Sequence, residues 1–296
     1  HPLLWRPVLE GIILRVRPRA SAAKYATVWR PGEETSRSGS PLMHYSRRQC
    51  ELLQQEFGES VQVRVAMRYG QPALRRVMGE LMEAGCRRIA LLPLYPQYAA
   101  SSAGTVVDEA ARFILASRNQ PELRTVRSFE TAPAYIEALA TALEQHWRVH
   151  GRPDPAAGER LLLSFHSIPQ AMHDAGDPYR AECERTVELL SQRLNLPDGL
   201  AQLTFQSVFG PAAWIGPATI DAVGELGSAG CPRLDVICPG FLSDCLETLE
   251  EINQLNRETF TTAGGGSFHY IPWGNDSDGA IATLAEQARN VLAGWI

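Results

Sequence analysis

Two short segments, Ile89–Leu94 and Leu161–Phe165, are apolar at nearly every position. A strand that is apolar on both faces needs cover on both, and a parallel sheet with helices on either side supplies it. The surrounding chain keeps that rhythm. Residue patterns predict strands at Val61–Ala66, Arg88–Leu94, Arg124–Ser128, Arg160–His166, Leu203–Ser207, Leu234–Cys238 and Phe268–Ile271. Helical patterns lie between them, near Pro41–Phe57, Pro72–Ala84, Thr105–Ala116, Ala134–Val149, Tyr179–Leu194, Pro217–Ala229, Asp244–Glu258 and Asp278–Trp295. Alternation of this kind predicts an α/β fold of open parallel sheets flanked by helices. A chain of 296 residues has room for two such units. The polar run Arg152–Gly158, with two prolines and a glycine, marks the boundary, giving Rossmann-like domains at residues 1–150 and 151–296.

Several functions are excluded early. A net charge of -5 lacks the basic excess of a nucleic-acid binder. Among 28 basic residues, only Lys24 is a lysine, and it stands in Ala22-Ala23-Lys24-Tyr25. That is no P-loop context, and nothing there marks a Schiff-base lysine. The six cysteines form no C-x-x-C pair, so zinc knuckles and local iron–sulfur motifs are not expected. No apolar run is long enough to span a bilayer, and no secretory leader is visible from His1 onward. A reduced, cytoplasmic protein is the expectation. The stretch His1–Arg19 mixes apolar and basic residues and reads equally as an interfacial helix or a packing helix with solvated arginines.

In α/β sheets, ligands bind beyond the carboxyl ends of the strands. His166 closes one such strand, in Ser164-Phe165-His166-Ser167-Ile168-Pro169. An imidazole there can serve as base, as metal ligand or as a structural histidine. The flanking serines lack a G-x-S-x-G elbow. Asp244, Glu247, Glu251 and Glu258 fall on one line of an ideal α-helix, either a solvated acidic face or a route for cations and protons. Cys245 beside them reads as a small buried residue before a soft-metal ligand. His146 and His150, at i and i+4 without an intervening Glu, read as surface histidines. Gly264-Gly265-Gly266 precedes a strand and reads as a turn.

The motifs taken together are more specific. Ser164-Phe165-His166-Ser167-Ile168-Pro169 followed by Gly176-Asp177-Pro178-Tyr179 resembles a signature of the ferrochelatases. So do Leu94-Tyr95-Pro96-Gln97-Tyr98, Pro239-Gly240-Phe241, the run from Ser243 through Asp244, Cys245 and Glu247 to Glu251, and Phe268-His269-Tyr270-Ile271-Pro272. Met67-Arg68-Tyr69-Gly70 and Gly39-Ser40-Pro41-Leu42 fit in the same order, from about Trp5 to the end. The resemblance implies the chelatase fold, with a porphyrin cleft between two Rossmann-like domains and a last helix, 278–295, packed on the first. It implies insertion of Fe²⁺ into protoporphyrin IX with loss of two protons, iron being substrate and no cofactor being tightly bound. His166 and Glu247 would face the macrocycle as catalytic pair and metal ligands. His166 would act as base or iron ligand. Asp244 and Glu251 would continue a proton and metal path, and Arg68, Tyr69, Ser40 and Tyr98 would line the porphyrin site.

The departures are specific. Family members begin with a strand and glycine-containing loop about thirty residues before the segment matching Trp5, and this chain starts after them. Loss of a central strand would leave unpaired ladder edges, so a non-catalytic porphyrin-binding remnant is one alternative. A chelatase for coproporphyrin or another tetrapyrrole is the other. Val208 stands where a basic residue is usual, and Pro31–Arg37 is a longer insertion than expected. No cysteine-rich extension follows Ile296, so the iron–sulfur cluster of animal enzymes is not expected, and Cys245 stands where those enzymes have histidine. Peripheral contact with the inner membrane through the N-terminal stretch is a further expectation. Oligomeric state is not legible.

Overall fold

Four parallel strands organise the second half of the chain. The computed structural model describes residues 14–29 and 39–296. The insertion Pro31–Arg37 lies outside them, and the reading of His1–Arg19 lies outside the described side chains. The elements run α1 (Leu14–Val28), α2 (Pro41–Phe57), α3 (Leu74–Glu83), β1 (Arg88–Leu91), α4 (Ala103–Ala116), β2 (Glu122–Thr125) and α5 (Pro133–His150). They continue β3 (Arg160–His166), α6 (Gln170–Asp174), α7 (Tyr179–Leu194), β4 (Ala201–Gln206), α8 (Thr219–Ser228) and β5 (Arg233–Ile237). A π-helix (Glu247–Asn256), α9 (Arg257–Thr262), β6 (Ser267–Ile271) and α10 (Asp278–Leu292) complete the chain.

The large sheet has the order β4-β3-β5-β6, all parallel. Its central strand shows why an apolar run was needed. Leu161, Leu163 and Phe165 point into one cluster with Tyr135, Leu139 and Leu143 of α5 and Leu190 of α7. Leu162 points the other way, to Val223, Ile252, Phe260 and Phe268. All four strand residues are essentially inaccessible to solvent. At about 2 kcal/mol or more for each fully buried leucine or phenylalanine, this double-sided burial makes β3 the anchor of the fold.

The first half carries a smaller sheet, β1 paired in parallel with β2. Its core joins Leu74 and Met78 of α3, Ile89 and Leu91 of β1, and Ala110 of α4. The strand expected at Val61–Ala66 does not form. Among the described residues that segment has no partner ladder. Instead the Gln54 side chain serves it, accepting from the Val63 N–H and donating to the Val61 carbonyl. Alternating valines favour extension, yet a strand exists only through its neighbours. α10 returns from the second half to pack against α5, α2 and β1.

The helix expected over Asp244–Glu258 also differs. Residues Glu247–Asn256 form a π-helix, followed by α9. The Asn256 side-chain amide donates to the Glu251 carbonyl at 2.7 Å, inside the ladder it widens. A side chain inserted in this way is a recognised cause of departure from the α pattern. With i→i+5 bonding, each residue advances less than 100° around the axis, so the acidic line drawn on an ideal α-helix breaks up. Glu258 falls on the exposed outside, and Asp244 lies before the helix begins.

Candidate active site

The sheet order reverses direction at β3. From there the chain steps to β4 on one side, then crosses back to β5 on the other. Such a switch point leaves a crevice at the carboxyl ends of the strands, because successive connections depart to opposite sides. His166 is the last residue of β3, and the segment 239–247 follows β5.

His166 pairs in register with Gln206 of β4. Its Nδ1 lies 2.6 Å from the Ser167 carbonyl oxygen. A carbonyl only accepts, so Nδ1 carries the proton, and in the neutral ring Nε2 keeps its lone pair free for a proton or a cation. Gln206 is buried, and both ends of its amide are engaged. Its oxygen accepts from Ser164 Oγ, and its nitrogen donates to the Glu247 carbonyl at 2.8 Å. One residue on, Ser207 has a left-handed backbone (φ 64°). Its N–H and Oγ each bond a Glu251 oxygen at 2.6 Å. Charge-assisted bonds of this length hold an otherwise unfavourable conformation. Register and side-chain bonding thus bring His166, Glu247 and Glu251 to one end of the sheet. Ser164 and Ser167 are taken up structurally, bonding Gln206 with Thr219 and the Ile215 carbonyl respectively.

Asp244 is fixed from three sides. Tyr270 Oη donates at 2.5 Å, Asn275 Nδ2 at 2.7 Å and Thr248 Oγ1 at 2.8 Å. Its loop is also gripped from the first half of the chain, where buried Gln49 of α2 donates to the Leu242 and Asn275 carbonyls. Burial, reinforced by the charge of Glu247, holds the Cys245 thiol well above its ordinary range. In the metal-free protein it therefore stays protonated at neutral pH.

The first-half residues named from the motifs have distinct settings. Arg68 stacks on the exposed Tyr69 ring at 4.5 Å and donates from Nε to the Thr105 carbonyl. Ser40 caps α2 by accepting from the Met43 N–H. Tyr98 lies beneath Arg127, and its N–H donates to Glu182 of α7. Tyr95, directly after Leu94, lies near enough to feel the charge of Glu247. Burial raises the Tyr95 hydroxyl first, then the nearby Tyr69, Cys245 and Glu247. Tyr25 of α1 is raised similarly, by burial and then by Glu247 and Cys245. Next to it, Lys24 pairs with Glu250 of the π-helix at 2.8 Å. Sequence reasoning passed over Tyr95 and Tyr25. The available signal for Tyr95 was its place directly after the apolar run ending at Leu94.

His146 corrects another expectation. His150 is exposed, but His146 is mostly buried against Asp235, and both rings lie beside His269. The surface reading thus holds for His150 and not for His146.

A family model for ferrochelatase matches residues 1–292. A ferrochelatase of Dechloromonas aromatica (strain RCB) is 48% identical over 295 residues, covering 99% of this chain and 78% of the relative. One of Chromobacterium violaceum is 46% identical over 297 residues, with 99% and 79% covered. Among solved structures, SirB from Bacillus subtilis with Fe3+ superposes with a TM-score of 0.59 at 14% identity, covering 87% of this chain and 93% of that one. At that identity the match speaks to the fold, which SirB, a sirohydrochlorin chelatase, shares. Near-half identity along almost the whole chain agrees with the ordered motifs and with a site built at the switch point of a parallel sheet: the chain belongs to the ferrochelatase family.

Proposed function

We infer that His166 and Glu247 are the working pair in the reaction of this enzyme, the insertion of Fe²⁺ into protoporphyrin IX to give protohaem with release of two protons. The observation that carries this is the Gln206 bridge. Backbone pairing sets Gln206 beside His166, and its amide holds the Glu247 carbonyl. One buried residue thus ties the backbone at Glu247 to the strand end that carries His166, which supports reading the two as a pair.

The chemistry asks for such a pair. A porphyrin presents two N–H groups toward its centre, so the metal enters only when the ring bends and both protons leave. Binding energy from the apolar periphery can support that distortion. An imidazole with a free Nε2 removes a proton or receives the iron, and a neighbouring carboxylate takes the other role. Nitrogen and oxygen donors suit ferrous iron without holding it as thiolates would. Glu251 and Asp244 continue the polar route away from Glu247, while Arg68, Tyr69, Ser40 and Tyr98 border the porphyrin from the first half. Iron is substrate, and no tightly bound cofactor takes part. We place the reaction in the cytoplasm, with peripheral membrane contact through His1–Arg19. Flotation with anionic liposomes tests that contact, and protein left wholly in the soluble fraction would refute it. No helix among the described residues is long and apolar enough to cross a membrane.

The test is anaerobic insertion of Fe²⁺ or Zn²⁺ into protoporphyrin IX, read by absorbance, beside His166→Ala and Glu247→Gln. Each variant is expected to lose about 100-fold or more in kcat while keeping porphyrin affinity. Variants that turn over normally would remove the pair from the mechanism. Comparing protoporphyrin with coproporphyrin, which carries two more propionates, fixes the substrate.

A further inference from the structure

At the amino end of the same sheet a second set of metal-competent side chains converges, away from the cleft. Asp235 of β5 pairs in register with Leu161 of β3, five residues before His166. At about 3.3 Å per residue the two groups lie about 17 Å apart along the strands. Around Asp235 gather three imidazoles. Ring centroids of His146 and His150 are 4.4 Å apart, those of His146 and His269 4.9 Å, and those of His150 and His269 4.8 Å. Ligand atoms of His146, Asp235 and His269 all lie within 4.8 Å of one another.

We propose that this cluster is a second cation site, taking a borderline divalent ion of the Zn²⁺ class through the imidazoles of His146, His150 and His269, with Asp235 orienting His269. The donor chemistry is consistent throughout. His269 Nδ1 lies 2.9 Å from Asp235 Oδ1, so Nδ1 donates and Nε2 keeps the lone pair. A carboxylate behind a histidine is the usual support for a metal-bound imidazole, fixing its tautomer and orientation. His146 Nε2 is buried and has no hydrogen-bond partner. An orphaned buried nitrogen aimed at a carboxylate 3.8 Å away is a costly arrangement that a bound cation would relieve. Burial, the largest influence on His146, lowers its pKa, as do His150, His269 and Arg233, against an opposing pull from Asp235.

The charge balance selects the ion. Arg233 grips Asp235 in a bidentate pair, Nε to Oδ1 and Nη2 to Oδ2, and Trp147 Nε1 bonds Oδ2 as well. With its carboxylate already neutralised, the site offers little to a hard ion such as Mg²⁺, which seeks oxygen and net negative charge. Three imidazoles match zinc, cobalt or ferrous iron. Zinc–nitrogen coordination needs about 2.0–2.1 Å, so binding requires the three rings to turn toward a common point. Since His146 and His150 end α5 and His269 sits on β6, the ion would clip the last turn of α5 to the sheet.

The test uses the full chain carrying His166→Ala and Glu247→Gln, so that cleft binding is removed. Equilibrium dialysis with Zn²⁺ counts bound metal, and Co²⁺ reports its ligands by visible absorption. The expected result is about one equivalent bound, with a tetrahedral Co²⁺ spectrum. Adding His150→Ala, an exposed position that should not disturb folding, or His269→Gln should weaken binding about tenfold or more. No stoichiometric metal in the doubly substituted chain would overturn the proposal. So would metal whose affinity and spectrum ignore both histidine substitutions.

Discussion

Gln206 lies beside His166 through strand pairing and reaches the Glu247 main-chain carbonyl with its side-chain amide, and it is accordingly the residue whose replacement is most informative. Gln206→Leu keeps the buried volume but removes the donor to the Glu247 carbonyl. It is expected to lower kcat about tenfold, equivalent to about 1.4 kcal/mol, with little change in KM for porphyrin. A change confined to KM would make Gln206 a contact for substrate instead of a positioning residue. Cys245 supplies a second residue-scale expectation. Burial and Glu247 raise its thiol, so the thiolate grows in only above the ordinary range near pH 8.5. Alkylation of Cys245, followed by mass spectrometry, should stay slow at pH 8, and rapid labelling there would contradict the burial. Such environments are not written in any one residue. His166 stood out as a candidate because it ends an apolar strand; Tyr95 and His269 were quoted within motifs but carried no pattern of their own, since only the fold brings them near Glu247 and His146.

Among the elements, the α5–α10 contact joins the end of the chain to its first half. A Cβ on Gly279 would stand 2.9 Å from the Ala138 Cβ, closer than packed carbons tolerate. Gly279→Ala should therefore cost about 1–3 kcal/mol, measured by denaturant unfolding, and a neutral result would mean that the helices part easily. Strong periodicity made α2, α7 and β3 readable to the residue, because each buries one clear face or two. The π-helix was unreadable for a physical reason. Its apolar spacing satisfies an ideal helix as well, and the Asn256 side chain bonding the Glu251 carbonyl within the widened ladder is a contact no hydropathy pattern records. Val61–Ala66 failed differently, being a strand-like sequence with no neighbouring ladder among the described residues.

Across the whole molecule, stability is unevenly shared. β3 is flanked on both edges and covered on both faces, whereas β1 and β2 form a two-stranded sheet among the described residues. Two strands alone are marginal. Hydrogen exchange should find the β3 and β5 amides slowest, with those of β1 and β2 at least about tenfold faster, and equal protection would show one cooperative unit. The halves are nonetheless tied by buried polar contacts. Gln49 reaches the loop after β5, and Tyr135 Oη donates to the Pro239 carbonyl beneath it. Whatever tilts α2 or α5 therefore also moves the loop that leads into Glu247. One feature at that mouth has a practical use. Lys24, the chain's only lysine, stands half-exposed on α1 with its ammonium against Glu250. A dye chemistry selective for ε-amines would mark a single side chain of these 296 residues, at the rim of the π-helix, so that quenching by an arriving tetrapyrrole could be followed without engineering a handle.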